Sequence, residues 1–135
     1  MIGTRTKKPL VAAEIEQAIG SRYTREQMAT FDRYSTTVDI PAGSVFVTQG
    51  QLGREVLLIL SGSAVVCRDG ETVATVGVGD IVGERAVIRQ EPRNASLIAT
   101  TDLVVAAFSA REFRSLLHVL PEVAAEVASL EAARS

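Results

Sequence analysis

The chemically informative stretch is Gly79-Asp80-Ile81-Val82-Gly83-Glu84-Arg85-Ala86-Val87-Ile88, then Arg89-Gln90-Glu91, then Pro92-Arg93-Asn94-Ala95-Ser96. A glycine followed by a short helical run suits an anion. The first backbone amides have no partner within the helix, and the helix dipole favours negative charge there. Gly83 has no side chain to block a ligand's approach. Arg93 can present two parallel N–H donors to a phosphate, and Pro92 stiffens the chain just before it. Glu84 would repel a free phosphate, so its presence asks for a reason. A carboxylate accepting from sugar hydroxyls beside a phosphate supplies one. The competing reading makes Glu84 and Arg93 a surface ion pair that braces a loop, worth about 0–1 kcal/mol.

Other chemistries have little material. Cys67 is the sole cysteine and lies in the apolar run Ala64-Val65-Val66-Cys67. It reads as a small buried hydrophobe. A catalytic thiol would want a base nearby, and the single histidine, His118, is distant in sequence. His118 reads as a packed or surface side chain. A cupin-type metal site needs two or three histidines and a carboxylate converging inside a barrel. The β-rich region contains no histidine. We therefore expect a binding domain and not an enzyme, with no catalytic residues, no metal ligands and no cofactor.

Several elements must position the Gly83–Arg93 segment. Residues 1–8 are expected as a tail and 9–34 as N-terminal helices. Val11, Ile15 and Ile19 recur every four residues before Gly20. Thr24-Arg25-Glu26-Gln27 is a capping box, and Met28 and Phe31 supply an apolar face. From residue 35 to 109 the chain is rich in Val, Ile and Thr, with turn signals every few residues, which predicts short strands in a barrel or sandwich. Asp69-Gly70 between two β-branched runs predicts a two-residue hairpin with a type I′ turn. Val56 to Leu60 is apolar throughout and reads as a central strand. Leu97 to Phe108 reads as two strands around Thr100-Thr101-Asp102. Residues 110–135 are helical again. Ser109-Ala110-Arg111-Glu112 forms a second capping box, and Phe113, Leu116, Leu117 and Leu120 follow at helical spacing. Pro121 suits the first turn of a further helix, on which Val123, Val127 and Leu130 form a narrow stripe.

The motif Gly83-Glu84-x-Ala86, followed by Pro92-Arg93-x-Ala95-Ser96, resembles the phosphate-binding cassette of cyclic-nucleotide-binding domains. That family includes regulatory subunits of cyclic-AMP-dependent kinase and the bacterial catabolite activator protein. The resemblance runs over roughly residues 24 to 130 and includes Gln49-Gly50-Gln51-Leu52-Gly53 and Leu57 to Gly62. It implies a mainly β domain, a jelly-roll-like double-stranded β-helix barrel over 35–109, with flanking N- and C-terminal helices and a short cassette helix within 82–96. It also implies a ligand site of Gly83, Glu84, Arg85, Ala86, Arg93, Asn94 and Ala95. Glu84 would accept from the ribose 2′-hydroxyl and Arg93 would pair with the cyclic phosphate. The amides of Ala86 and Asn94 would complete the cradle, and Ala95 would pack close to the sugar-phosphate. The base would rest on barrel side chains and be covered by C-terminal helices through Leu117 or Leu120. Arg85 stands where leucine is commoner. Asn94 stands where Ala, Ser or Thr is commoner, which leaves cyclic AMP as the expected ligand and cyclic GMP as the alternative.

Composition bounds the partners. The 135 residues suit one domain, and 47% are hydrophobic, ample for a packed core. The formal net charge of -2 lacks the basic footprint of a nucleic-acid binder, and Lys7-Lys8 reads as part of a solvated tail. No room remains after the last helix for a helix-turn-helix, so no DNA partner is expected. No apolar stretch reaches the roughly 20 residues a membrane span takes, and the run from Pro9 to Ala13 is too short for a signal-peptide core. A cytoplasmic setting is the expectation. Two functional readings remain: a cyclic-nucleotide sensor that repositions its C-terminal helices, and an interaction module of the same fold that has lost its ligand. The output would pass to a protein partner or a second copy through the helix from Pro121 to Arg134, unless that helix packs on its own domain.

Overall fold

The computed structural model describes residues 4–5 and 23–134. The expected helix through Val11, Ile15 and Ile19, and the pair Lys7-Lys8, lie outside the described residues, as does the side chain of Leu130. Within the expected tail, Thr4–Arg5 form a short strand, β1. Helix α1 (Arg25–Arg33) starts at the predicted capping box. The Thr24 hydroxyl accepts from the Gln27 amide and the Gln27 side chain accepts from the Thr24 amide. Eight strands follow: β2 (Thr36–Ile40), β3 (Val45–Val47), β4 (Glu55–Ser61), β5 (Ala64–Arg68), β6 (Glu71–Val76), β7 (Ile81–Val82), β8 (Ser96–Ala99) and β9 (Leu103–Ser109). Helix α2 (Glu84–Arg89) interrupts them after β7, and helices α3 (Ala110–Val119) and α4 (Pro121–Arg134) close the chain.

The strands make two antiparallel sheets, of order β1-β2-β9-β4-β7 and β3-β8-β5-β6. The architecture is the expected jelly-roll-like one, built as a sandwich of two sheets. Among the described residues no ladder joins the two sheets, so side-chain packing holds them together. The hairpin from β5 to β6 turns on Asp69 (φ 53°) and Gly70 (φ 82°). Two successive positive φ values are what a type I′ turn demands.

Strand β4 shows why an unbroken apolar run was needed. Val56, Leu58 and Leu60 point into a cluster beneath the helices, with Ala106 and Phe108 of β9, Met28 and Phe31 of α1, Val87 of α2, Phe113 and Leu116 of α3, and Val123 and Val127 of α4. Leu57 and Ile59 point the other way, into the core between the sheets, with Val38, Phe46, Val82, Leu97 and Val105. Side chains alternate across a strand, so a strand covered on both faces must be apolar at every position. Val123 and Val127 are buried in this core, so two positions of the expected partner-facing stripe are used within the domain. Ser109 caps α3 through its predicted box with Glu112.

Candidate functional site

The cassette is assembled where β7 meets β4. Gly83 adopts φ 84°, a left-handed conformation natural to glycine, and caps α2, which ends at Gln90 with φ 55°. One helical turn is thus cut from the strand run at both ends by backbone reversals. Its two faces diverge. Val87 joins the core beneath the helices, whereas Glu84 and Ala86 line a cavity of about 500 Å³. Val47, Val66, Val76, Val82 and Leu97 form the apolar wall of that cavity. Arg85, Arg93, Asn94 and Ala95 complete the convergence, so all seven expected site residues border one space.

Arg93 is held there at two points. Its Nη1 donates to the Gly83 carbonyl at 3.0 Å and its Nη2 to the Glu55 carbonyl at 2.7 Å. Burial pushes the guanidinium below its ordinary pKa, with the Glu55 and Glu84 carboxylates pulling back upward. An arginine stays charged through such a shift, and three of its five N–H groups remain for a ligand. Glu84 is 2% exposed. Glu84 is therefore not a surface group, while Arg93 is half-buried. Arg85 reaches Glu91 at 3.6 Å across the cavity rim.

The backbone around Arg93 is pinned by the loop from Gly50 to Gly53. The Gly50 amide donates to the Arg93 carbonyl at 2.8 Å, the Arg93 amide to the Gln51 carbonyl at 2.7 Å, and Leu52 bridges to Pro92. The amides of Asn94 and Ala95 find no backbone acceptor among the described residues. A charged arginine beside two uncommitted amides is suited to an anion.

The structure refines three expectations. The glycine at 83 does not chiefly clear a path for ligand: a Cβ there would collide with Nη1 of Arg93. Without ligand, Leu120 lies in the core beneath the helices and Leu117 packs against it, and neither is among the residues that line the cavity. They belong to α3 and its end, which sit on the far face of the five-stranded sheet. Cys67 is half-buried rather than enclosed, with its Sγ 3.6 Å from the Thr72 hydroxyl, whereas His118 is exposed, one of the two places expected for it. Sequence reasoning missed Gly53, where a Cβ would meet Ala86 and lie 3.2 Å from the Arg93 guanidinium carbon. Its only signal was membership of a glycine-rich turn. It also missed Arg68, whose Nε donates to the Asn94 carbonyl at 3.1 Å. Among the described residues no helix is long and apolar enough to cross a membrane.

The sandwich and its cassette define a small-ligand-binding domain. The sequence profile of the cyclic nucleotide-binding domain matches residues 37–119, and the chain belongs to that family. It is 37% identical over 98 residues to the Pycsar effector protein XpPycTIR of Xanthomonas perforans, covering 72% of this chain and 32% of that protein. It is 38% identical over 97 residues to the cAMP-dependent protein kinase regulatory subunit of Schizosaccharomyces pombe, covering 71% of this chain and 23% of that protein. The chain thus spans about a quarter to a third of these relatives. A crystal structure of a cyclic nucleotide-binding domain from Methylobacillus flagellatus superposes with a TM-score of 0.82 at 25% identity, covering 97% of this chain and 82% of the other.

Proposed function

We propose that this domain is a cyclic-nucleotide sensor, with cyclic AMP as its ligand, and that it signals by repositioning α3 and α4. The observation that carries the reading is the meeting, at one cavity, of the Arg93 guanidinium, the free Asn94 and Ala95 amides and the buried Glu84. Arg93 and the amides take the cyclic phosphate. Glu84 accepts from the ribose 2′-hydroxyl, and the Ala86 amide adds to the cradle. The apolar wall from Val66 to Leu97 receives the base. A volume of about 500 Å³ suits a nucleotide-sized ligand.

The path to the helices runs through α2. Glu84 and Ala86 border the ligand space while Val87, on the same turn, sits with Val123 and Val127 of α4. A ligand that shifts α2 therefore disturbs the packing of α4, and differential binding to the two arrangements moves their populations. The domain performs no chemistry in this reading. It passes ligand occupancy to whatever α4 contacts.

A thermal melt with cyclic AMP, cyclic GMP and AMP tests this. Ligand at 100 times its Kd stabilises the fold by about 2.7 kcal/mol, several degrees for a domain of this size. A rise with cyclic AMP and none with AMP is expected. No rise with any cyclic nucleotide at millimolar concentration would replace the sensor with a ligand-free interaction module.

A further inference from the structure

Both carbonyls that precede the free amides of the cassette are held from outside it. A trans peptide is planar, so its C=O and the following N–H point in opposite directions. The Gly50 amide holds the Arg93 carbonyl, which turns the Asn94 N–H away from the Gly50 loop. Arg68 Nε holds the Asn94 carbonyl at 3.1 Å, which turns the Ala95 N–H away from Arg68. The first anchor is backbone. The second is a side chain at the end of β5, and it is braced. Asp69 donates its amide to Gln49 Oε1 at 3.0 Å and accepts from Gln49 Nε2 at 2.9 Å. The Gln49 amide donates to the Ser96 hydroxyl at 2.9 Å. The contacts close a ring: Asn94 to Arg68, along the chain to Asp69, across to Gln49, and back to Ser96.

We propose that Arg68, braced by the Gln49–Asp69 pair, is a positioning residue that aims the Ala95 amide at the phosphate of the ligand. The proposal rests on the reading of the cavity as a cyclic-nucleotide site. Arg68 itself need not touch the nucleotide. It is exposed at the cavity lip, and it acts by fixing the orientation of one peptide plane.

Two measurements separate this role from others. The first is the amide spectrum of 15N-labelled protein without nucleotide. Arg68→Ala shifts or broadens the Asn94 and Ala95 signals and leaves those of β2 and β9 in place, and Gln49→Ala does the same to a smaller degree. The second uses cyclic AMP and the two phosphorothioate diastereomers in which sulfur replaces one exocyclic oxygen or the other. In Arg68→Ala, affinity for cyclic AMP falls about three- to tenfold, the size of one modest hydrogen bond. The ratio between the diastereomers shrinks, while the ratio of cyclic AMP to cyclic GMP is kept. Unmoved amide signals would overturn the proposal. So would a change in the base ratio with the diastereomer ratio intact, which would make Arg68 a base contact. If the wild-type protein binds no cyclic nucleotide, the sensor reading fails, and the amide spectra still decide whether Arg68 sets the peptide plane.

Discussion

Arg93 and Gly83 occupy one slot between them: Nη1 of the arginine donates to the glycine carbonyl at 3.0 Å, in the space where any other residue would place its Cβ. The arginine therefore ties α2 to the start of β4, through Gly83 and Glu55, as well as facing the ligand space. Arg93→Ala should cut affinity for cyclic AMP by more than tenfold, since each charged hydrogen bond carries about 1.5–3 kcal/mol. It should also lower the Tm, because two carbonyls lose their donor. Calorimetric titration and a thermal melt of the same sample check both effects. Unchanged affinity would remove Arg93 from the phosphate site.

Gly53 offers a second probe of the same slot. Its φ is not in the left-handed region, so an added methyl meets only steric opposition, from Ala86 and from Arg93. Ala86 is short and cannot turn aside, so α2 has to move. Gly53→Ala should destabilise the fold by about 1–3 kcal/mol, as overpacking does. Gly43→Ala is the control, because a Cβ there meets nothing within 4 Å and only the positive φ is strained. Denaturant midpoints of the two variants should separate clearly, with Gly53→Ala lower if α2 is as tightly seated as the contacts imply.

The proposed reading gives Glu84 the ribose 2′-hydroxyl. Wild-type protein should prefer cyclic AMP over its 2′-deoxy analogue by about tenfold or more, a hydrogen bond to a charged acceptor. In Glu84→Ala that preference should vanish while the deoxy analogue binds about as before. Competition binding with both ligands reads the two ratios, and a persistent preference in the variant would give Glu84 another role.

Asp32, near the C-terminal end of α1, has its carboxyl held above the ordinary range by burial, and its Oδ1 is enclosed without a hydrogen-bond partner among the described residues. A raised carboxylate pKa means that the folded chain binds the proton more tightly than the unfolded chain. Ionisation of Asp32 therefore costs stability at neutral pH, and the cost disappears as pH falls through the two pKa values. Asp32→Asn should raise the Tm at pH 7 and lose that advantage near about pH 4. A gain of equal size at both pH values would point to packing rather than charge.

Among the described residues, the succession of helix, strands and helices, and the stretch whose residues border one cavity, were legible in the sequence. Capping boxes, the Asp-Gly turn and the doubly apolar β4 depend on local residue types, and each stands where the pattern put it. The purpose of Gly83 was misread, because a glycine's sequence context does not say which neighbour needs the room. The place of Leu117 and Leu120 without ligand, in and against the core beneath the helices, was not legible for a related reason: helical spacing identifies an apolar face but not the surface it meets. Arg68 escaped notice because its partner is a backbone carbonyl, and every residue type carries one.

The junction of α3 and α4 has a mechanical meaning. Leu120 ends one helix by donating its amide to the Leu116 carbonyl, and its own carbonyl starts the next by accepting from Val123 and Ala124. Pro121 brings no amide to the joint. If α4 repositions as proposed, the buried Leu120 side chain is placed to be its pivot, with α4 as the arm. The 14 residues of that helix, at about 1.5 Å each, make an arm about 20 Å long, so a turn of about ten degrees at the pivot carries its tip about 3–4 Å. In the proposed sensor, a displacement too small to unseat Val123 would be multiplied along the arm into one that a neighbouring surface can register.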